Sequence, residues 1–277
     1  MALDLVIKNG TVATAADVFH ADVGIKDGVI ATLGRDLGDA AETIDATGKL
    51  VLPGGIDSHV HIAQPSGEGI TMADDFESAT RSALFGGNTT VMPFCLQERG
   101  QSLRQALTDY HALADGNCYT DVSFHLIISD PTDQVLGQEL PAAVADGYTS
   151  FKVFMTYEML RLNDAEILAT MDTARRTGAL VMVHCENEDA IAYLINKAEE
   201  DGRLKPVSHA TTRPIPVERE ATHRAITLAE VVDVPLVIVH VSNGAAMEEI
   251  AERWFGFVPD DSLWTRRVKF GGRGSRW

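Results

Sequence analysis

Residues 50–61 read LVLPGGIDSHVH, and the chain changes character there. Before this stretch, short apolar runs (Leu5 to Ile7, Val23 to Ile25, Val29 to Leu33, Glu42 to Ile44) are punctuated by Asn9-Gly10, Asp27-Gly28 and Gly34. That texture predicts a small antiparallel sheet joined by turns. After it, brief apolar runs alternate with helical-looking segments, the signature of βα units. Six strands are expected, at Leu52 to His59, Asn88 to Phe94, Tyr119 to Ile128, Ser150 to Met155, Ala179 to His184 and Pro235 to His240. The long interval before the last strand holds two expected helices, Glu188 to Glu200 and Val217 to Val232, with a Pro-rich loop between them. Asp74 with Glu77 reads as a capping box, and Asn163-Asp164 as a second helix start.

A parallel sheet must be covered on both faces or rolled into a barrel. The barrel is the better reading, because reactive side chains fall at the carboxyl ends of several different strands. The expected class is therefore α/β, an incomplete TIM-type (β/α)8 barrel with about six βα units. The expected divisions are 1–51, 52–252 and 253–277. The last of these is atypical. It holds all three tryptophans and six Lys/Arg against two Asp, in a chain whose net charge is −17. The shift points to a frameshift or a premature end, with a basic, aromatic docking arm as the alternative.

Composition narrows the function. Twenty-three Lys+Arg against 40 Asp+Glu argue against nucleic acid or an anionic membrane as partner. No run approaches the roughly 18 apolar residues of a membrane span. The start lacks the pattern of a secretory signal. Cys95, Cys118 and Cys185 make no disulfide framework. A cytoplasmic location is expected.

The chemistry lies at strand ends. His59 and His61 are two apart on a strand, so both imidazoles can reach one metal ion from the same side. Asp57 could accept the outer N–H of such a histidine or cap a turn. Lys152 lies inside SFKVFM, where an ammonium is costly to desolvate. It is either paired, or snorkelling, or converted by carbon dioxide to a carbamate able to bridge two ions. VMVH (181–184) and VIVH (237–240) each end an apolar run with histidine. In a barrel these ends converge on one mouth, and the set suits a two-metal site. His125 and His223 read as structural, and Cys95 and Cys185 as buried, inert thiols.

GGIDSHVH (54–61), GYTSFKVFMTY (147–157), VMVHCEN (181–187) and VIVHVSNG (237–244) together resemble the cyclic amidohydrolases of the dihydropyrimidinase/D-hydantoinase family. The likeness runs from residue 1 to about residue 252. It implies an N-terminal β-sandwich-like domain fused to the metal-binding barrel. By motif, His59 and His61 would hold the first of two divalent ions, zinc by family, and His184 and His240 the second, with carboxylated Lys152 bridging them. Tyr157 would support the oxyanion formed at the ring carbonyl. The implied substrate is a small cyclic imide or ureide, a hydantoin or dihydropyrimidine, opened to an N-carbamoyl amino acid. A homotetramer is the family's usual assembly.

The resemblance also implies a late-strand aspartate that moves the proton and late Ser and Asn groups that grip the imide. These 277 residues carry no counterpart after Glu252, so impaired activity is expected. Ala63 stands where dihydroorotases carry an arginine, which disfavours an acidic ring substrate. An allantoinase-like hydrolase, a non-catalytic scaffold and a damaged gene product are the alternatives.

Overall fold

The computed structural model describes residues 2–66 and 69–255. They fall into two compact units. The first runs up to Ile56 and includes Gly87–Thr89, and the second comprises Asp57–Gly86 and the described residues from Thr90 onward.

The first unit contains two sheets. Its strands are β1 (Leu5–Lys8), β2 (Thr11–Ala13), β3 (Val18–His20), β4 (Asp22–Lys26), β5 (Val29–Gly34), β6 (Glu42–Asp45) and β7 (Leu50–Val51). One sheet has the order β5-β4-β1-β6 and the other β3-β2-β7. The expectation of an antiparallel sheet needs correction. β1 pairs parallel with β6, and β2 parallel with β7. Asp27 and Gly28 form the two-residue β4–β5 turn with φ of 51° and 74°, the left-handed geometry that matches a hairpin's twist.

The second unit is the incomplete barrel. Its elements are β8 (Gly55–Val60), α1 (Phe76–Phe85), β9 (Asn88–Leu96), α2 (Leu103–Ala114), β10 (Asp121–Val122), β11 (His125–Ile127), α3 (Leu140–Ala145), β12 (Ser150–Phe154), α4 (Asp164–Thr177), β13 (Leu180–His184), α5 (Glu188–Glu200), α6 (Val207–Thr211), α7 (Ile215–Val232), β14 (Leu236–Ile238) and α8 (Gly244–Phe255). β10 and β11 are one interrupted strand. Asp121 lies opposite Thr90 and His125 opposite Phe94, with the register unbroken. Six strand positions therefore follow one another across the sheet in chain order, β8, β9, β10/β11, β12, β13 and β14. The pairings from β9 to β14 are parallel.

Strand alternation divides the apolar residues between two cores. Phe151, Val153, Val181, Val183, Leu236 and Ile238 pack with helix residues such as Ile167, Met171 and Ala174 of α4 and Ala221, Ala225 and Ala229 of α7. Those helical residues recur every three or four positions, so each helix turns one apolar stripe to the sheet. The intervening strand positions, Phe94, Ile127, Phe154, Met182 and Val239, form a second cluster. That cluster is the floor of the candidate site.

Most helices begin at side-chain caps. Asn163 and Glu166 make a reciprocal box at α4. The box expected at Asp74 is displaced by one residue: Asp75 caps α1, and its partner is Ser78. The loop before α7 contains the unforeseen short helix α6, and α8 runs three residues past the expected boundary at 252. Residues 256–277, most of the expected tail, lie outside the described residues. Asn163→Ala removes the cap of α4 and is expected to lower stability by about 1 kcal/mol, read as a shifted urea midpoint with unchanged slope.

Candidate functional site

The expected site residues gather at the carboxyl ends of β8, β12, β13 and β14. His59 lies near the end of β8, and His61 follows the strand. Their ring centroids are 5.6 Å apart, and both rest on Phe94 of β9, at 4.7 and 4.9 Å. His184 ends β13 and stacks on Phe154 at 5.4 Å. His240 stands 4.5 Å from His184 and 5.4 Å from His59, ring to ring, and so joins the two halves of the group.

His240 reaches this position by an unusual backbone. β14 stops at Ile238, and Val239 belongs to the inner cluster while Ile238 packs with the helices. Strict alternation would turn His240 outward with Ile238. Its φ of 38° instead swings the ring inward. Tyr157 (φ 69°) and Ala63 (φ 47°) adopt the same uncommon region beside the site, a distribution expected where surrounding structure holds a functional geometry.

Lys152 packs against the same two phenyl rings as His59, His61 and His184. It is 1% exposed, with Nζ 5.3 Å from the Phe94 ring centre and 4.9 Å from that of Phe154. Among the described residues its side chain has no ion-pair or hydrogen-bond partner, which removes the paired-lysine reading. Burial lowers its pKa to about 7. Burial also lowers His59 to about 4, with the Lys152, His61 and His125 charges adding to the effect. It lowers His240 to about 3, with Lys152, His184 and His59 adding. His59, His240 and Lys152 thus favour neutral nitrogens with lone pairs to offer.

Among the described residues no three His, Cys, Asp or Glu side chains form a group that could hold a metal ion. The histidine rings stand instead as a row, His61, His59, His240 and His184, at successive spacings of 5.6, 5.4 and 4.5 Å. The four imidazoles are nonetheless donors of the kind that zinc and similar divalent ions take.

Tyr157 sits on the loop after β12, partly exposed, with its ring 5.2 Å from His184 and 6.0 Å from Phe154. Glu188 holds this loop by accepting from the Tyr157 backbone N–H at 2.9 Å and from the Thr156 hydroxyl. Glu188 was not anticipated, nor was Glu186, whose carboxylate lies 2.8 Å from Nε2 of His184. A carboxylate two residues beyond a candidate ligand was the available signal. Gln64 similarly meets His61 Nδ1 at 2.6 Å.

The remaining residues have structural roles. Asp57 accepts the backbone N–H of His59 at 3.1 Å, the turn-capping alternative. His125 spends both ring nitrogens on Ser150 Oγ and the Ser58 carbonyl. His223 joins α7 to α8 through Glu249. Burial pushes the Cys95 thiol up to about 12 and raises that of Cys185 further, so neither is a ready nucleophile.

Sequential βα units that set reactive side chains at the carboxyl ends of their strands are the architecture of barrel enzymes. The model of the amidohydrolase family matches residues 50–210, and the chain belongs to that family. It is 50% identical over 249 residues to a D-hydantoinase of Geobacillus stearothermophilus, covering 89% of this chain and 52% of that protein. A solved D-hydantoinase structure superposes with a TM-score of 0.88 at 47% identity, over 90% of this chain and 55% of that one. The dihydropyrimidinase from Brevibacillus agri NCHU1002 gives a TM-score of 0.88 at 43% identity, over 96% and 56%. The chain spans about half the length of the curated relatives it matches. Among the described residues no helix is long and apolar enough to cross a membrane.

Proposed function

We propose that the chain carries the metal-binding part of a cyclic amidohydrolase that opens hydantoins or dihydropyrimidines to N-carbamoyl amino acids. The observation that carries this reading is the unpaired, buried Lys152, set against the Phe94 and Phe154 rings on which His59, His61 and His184 also rest. His59 and His61 would hold one divalent ion and His184 and His240 a second, zinc being the natural candidate for imidazole donors. When bound, such ions polarise a carbonyl and make water a nucleophile near neutral pH.

Lys152 completes the donor set by reacting with carbon dioxide. Its neutral amine attacks the carbon, a C–N bond forms, and one proton leaves to solvent. The product, a carbamate, carries one negative charge where the amine carried none. The low amine pKa supports this step, because the un-ionised form is well populated near neutrality. Phe94 and Phe154 exclude water from the group and limit its wandering. The Tyr157 ring packs beside His184, and its hydroxyl would donate to oxyanion charge developing at the ring carbonyl.

The described residues offer no carboxylate placed for the proton step. Among the described residues no carboxylate is hydrogen-bonded to the rings of His59, His61 or His240, and His184 alone has one, Glu186. General acid–base help is worth about 10²–10⁴ in rate. The 277-residue polypeptide, refolded with zinc and bicarbonate, is therefore expected to bind two ions. It should hydrolyse hydantoin and dihydrouracil more slowly than the Geobacillus D-hydantoinase by about that factor. Metal analysis and product release over time check both parts. A chain that binds no zinc would defeat the proposal, whereas full-rate turnover would defeat its proton-transfer clause alone.

A further inference from the structure

We infer that Glu186, backed by Arg213, is the positioning residue that fixes the His184 ring and selects Nδ1 as its metal-binding nitrogen. The inference rests on the proposed role of His184 as a ligand, and it deepens that role. His184 Nε2 meets Glu186 Oε2 at 2.8 Å, and the two side chains are 12% and 17% exposed. An ionised carboxylate can only accept, so Nε2 carries the hydrogen of this contact, and Nδ1 is the nitrogen left to face an ion. A neutral imidazole in this tautomer has one nitrogen to offer an ion.

The carboxylate is itself held. Arg213 Nε lies 3.8 Å from Glu186 Oε1, and the guanidinium side chain is also 17% exposed. That nitrogen is buried and lacks a hydrogen bond of its own. The same guanidinium donates to the His209 carbonyl at 3.2 Å, which ties it to α6. The Glu186 carboxylate thus faces an imidazole on one oxygen and a fixed positive charge on the other. The ring of His184 is bounded on its remaining sides by Phe154, Tyr157 and His240. Stacking on Phe154 fixes the ring plane but leaves a half-turn flip about the ring axis open. The bond to Glu186 removes that freedom. Such outer partners of ligating histidines govern ring orientation and basicity.

The experiment uses the full 277-residue chain loaded with zinc and bicarbonate, with chelator competition and bound-metal counts as readouts. Glu186→Ala is expected to weaken one of the two ions by about 10–100-fold and leave the other unchanged. Glu186→Gln should recover part of the loss, because its side-chain oxygen still accepts from Nε2–H. Nitrogen-15 NMR of zinc-loaded protein should show His184 protonated at Nε2 and metal-bound at Nδ1. Equal weakening of both ions in Glu186→Ala, or zinc on Nε2, would overturn the inference. His184→Ala separates the two layers of argument. If it retains both ions, the ligand role of His184 is wrong. If it loses one ion while Glu186→Ala loses none, the positioning role alone is wrong.

Discussion

Lys152→Met is expected to abolish two-metal binding, lower turnover by at least about 10²-fold and yet make the metal-free protein more stable. The first two effects follow from removing the only proposed source of anionic charge among the histidines, and a positioned electrostatic group is worth about that much in rate. The third follows from burial. The amine is 1% exposed against two phenyl rings, and its pKa falls from 10.5 to about 7. In carbon dioxide-free buffer at pH 7–10, the unfolded chain binds a proton here that the folded chain largely does not. Stability therefore rises with pH across that window, and the cost of burial is greatest below pH 7. The full shift corresponds to about 5 kcal/mol, an upper figure, since ring faces attract the ammonium. Methionine has similar length, no charge and an affinity for aromatic neighbours. Urea titrations across pH should show a rising stability in the metal-free parent that is absent from the variant. Carbon-13 bicarbonate should give a carbamate resonance in the zinc-loaded parent and none in the variant. Retention of two zinc ions by Lys152→Met would end the bridging proposal.

The parts of this molecule that could be read from sequence are those governed by local pattern. Apolar runs ending in His184 or His240, and a lysine within Ser150–Met155, contrast so sharply with their surroundings that their common location follows once a barrel is assumed. The helix from Glu188 to Glu200 has the residue limits expected for it, because Asn187 caps it and its apolar spacing is regular. Partner choice in the first unit was not legible. A short strand such as Glu42–Asp45 carries no mark of whether it lies parallel or antiparallel to Leu5–Lys8. The cap of α1 slipped by one residue because Asp74 and Asp75 are adjacent and chemically equivalent, and Ser78 rather than Glu77 completes the pair. His240 shows a deeper limit. Its side chain joins the others through a positive φ that tertiary packing imposes and that histidine does not announce. Glu186 was hidden for a related reason. Only the folded loop after β13 turns its carboxylate back onto His184, two positions earlier.

Tyr157→Phe is expected to lower kcat by about 10²–10³ relative to the unmodified chain, while bound zinc and KM change little. The substitution deletes one oxygen and keeps the ring that meets His184 and Phe154. The loop should hold, because its anchor is the backbone N–H of residue 157 on Glu188, which phenylalanine retains. Nor should phenylalanine worsen the left-handed backbone at φ 69°, since the two residues share the same Cβ geometry. Burial raises the phenol pKa above its ordinary value, with Glu186 and Glu188 adding and Arg213 opposing. The hydroxyl therefore stays protonated through neutral and mildly alkaline pH and remains a donor. A donor aimed at charge that develops only in the transition state should affect kcat far more than ground-state binding. A raised KM with unchanged kcat would instead make Tyr157 a wall of the substrate pocket. Unchanged kcat and KM together would leave the phenol without a part in the reaction, and the oxyanion would need another donor at the barrel mouth.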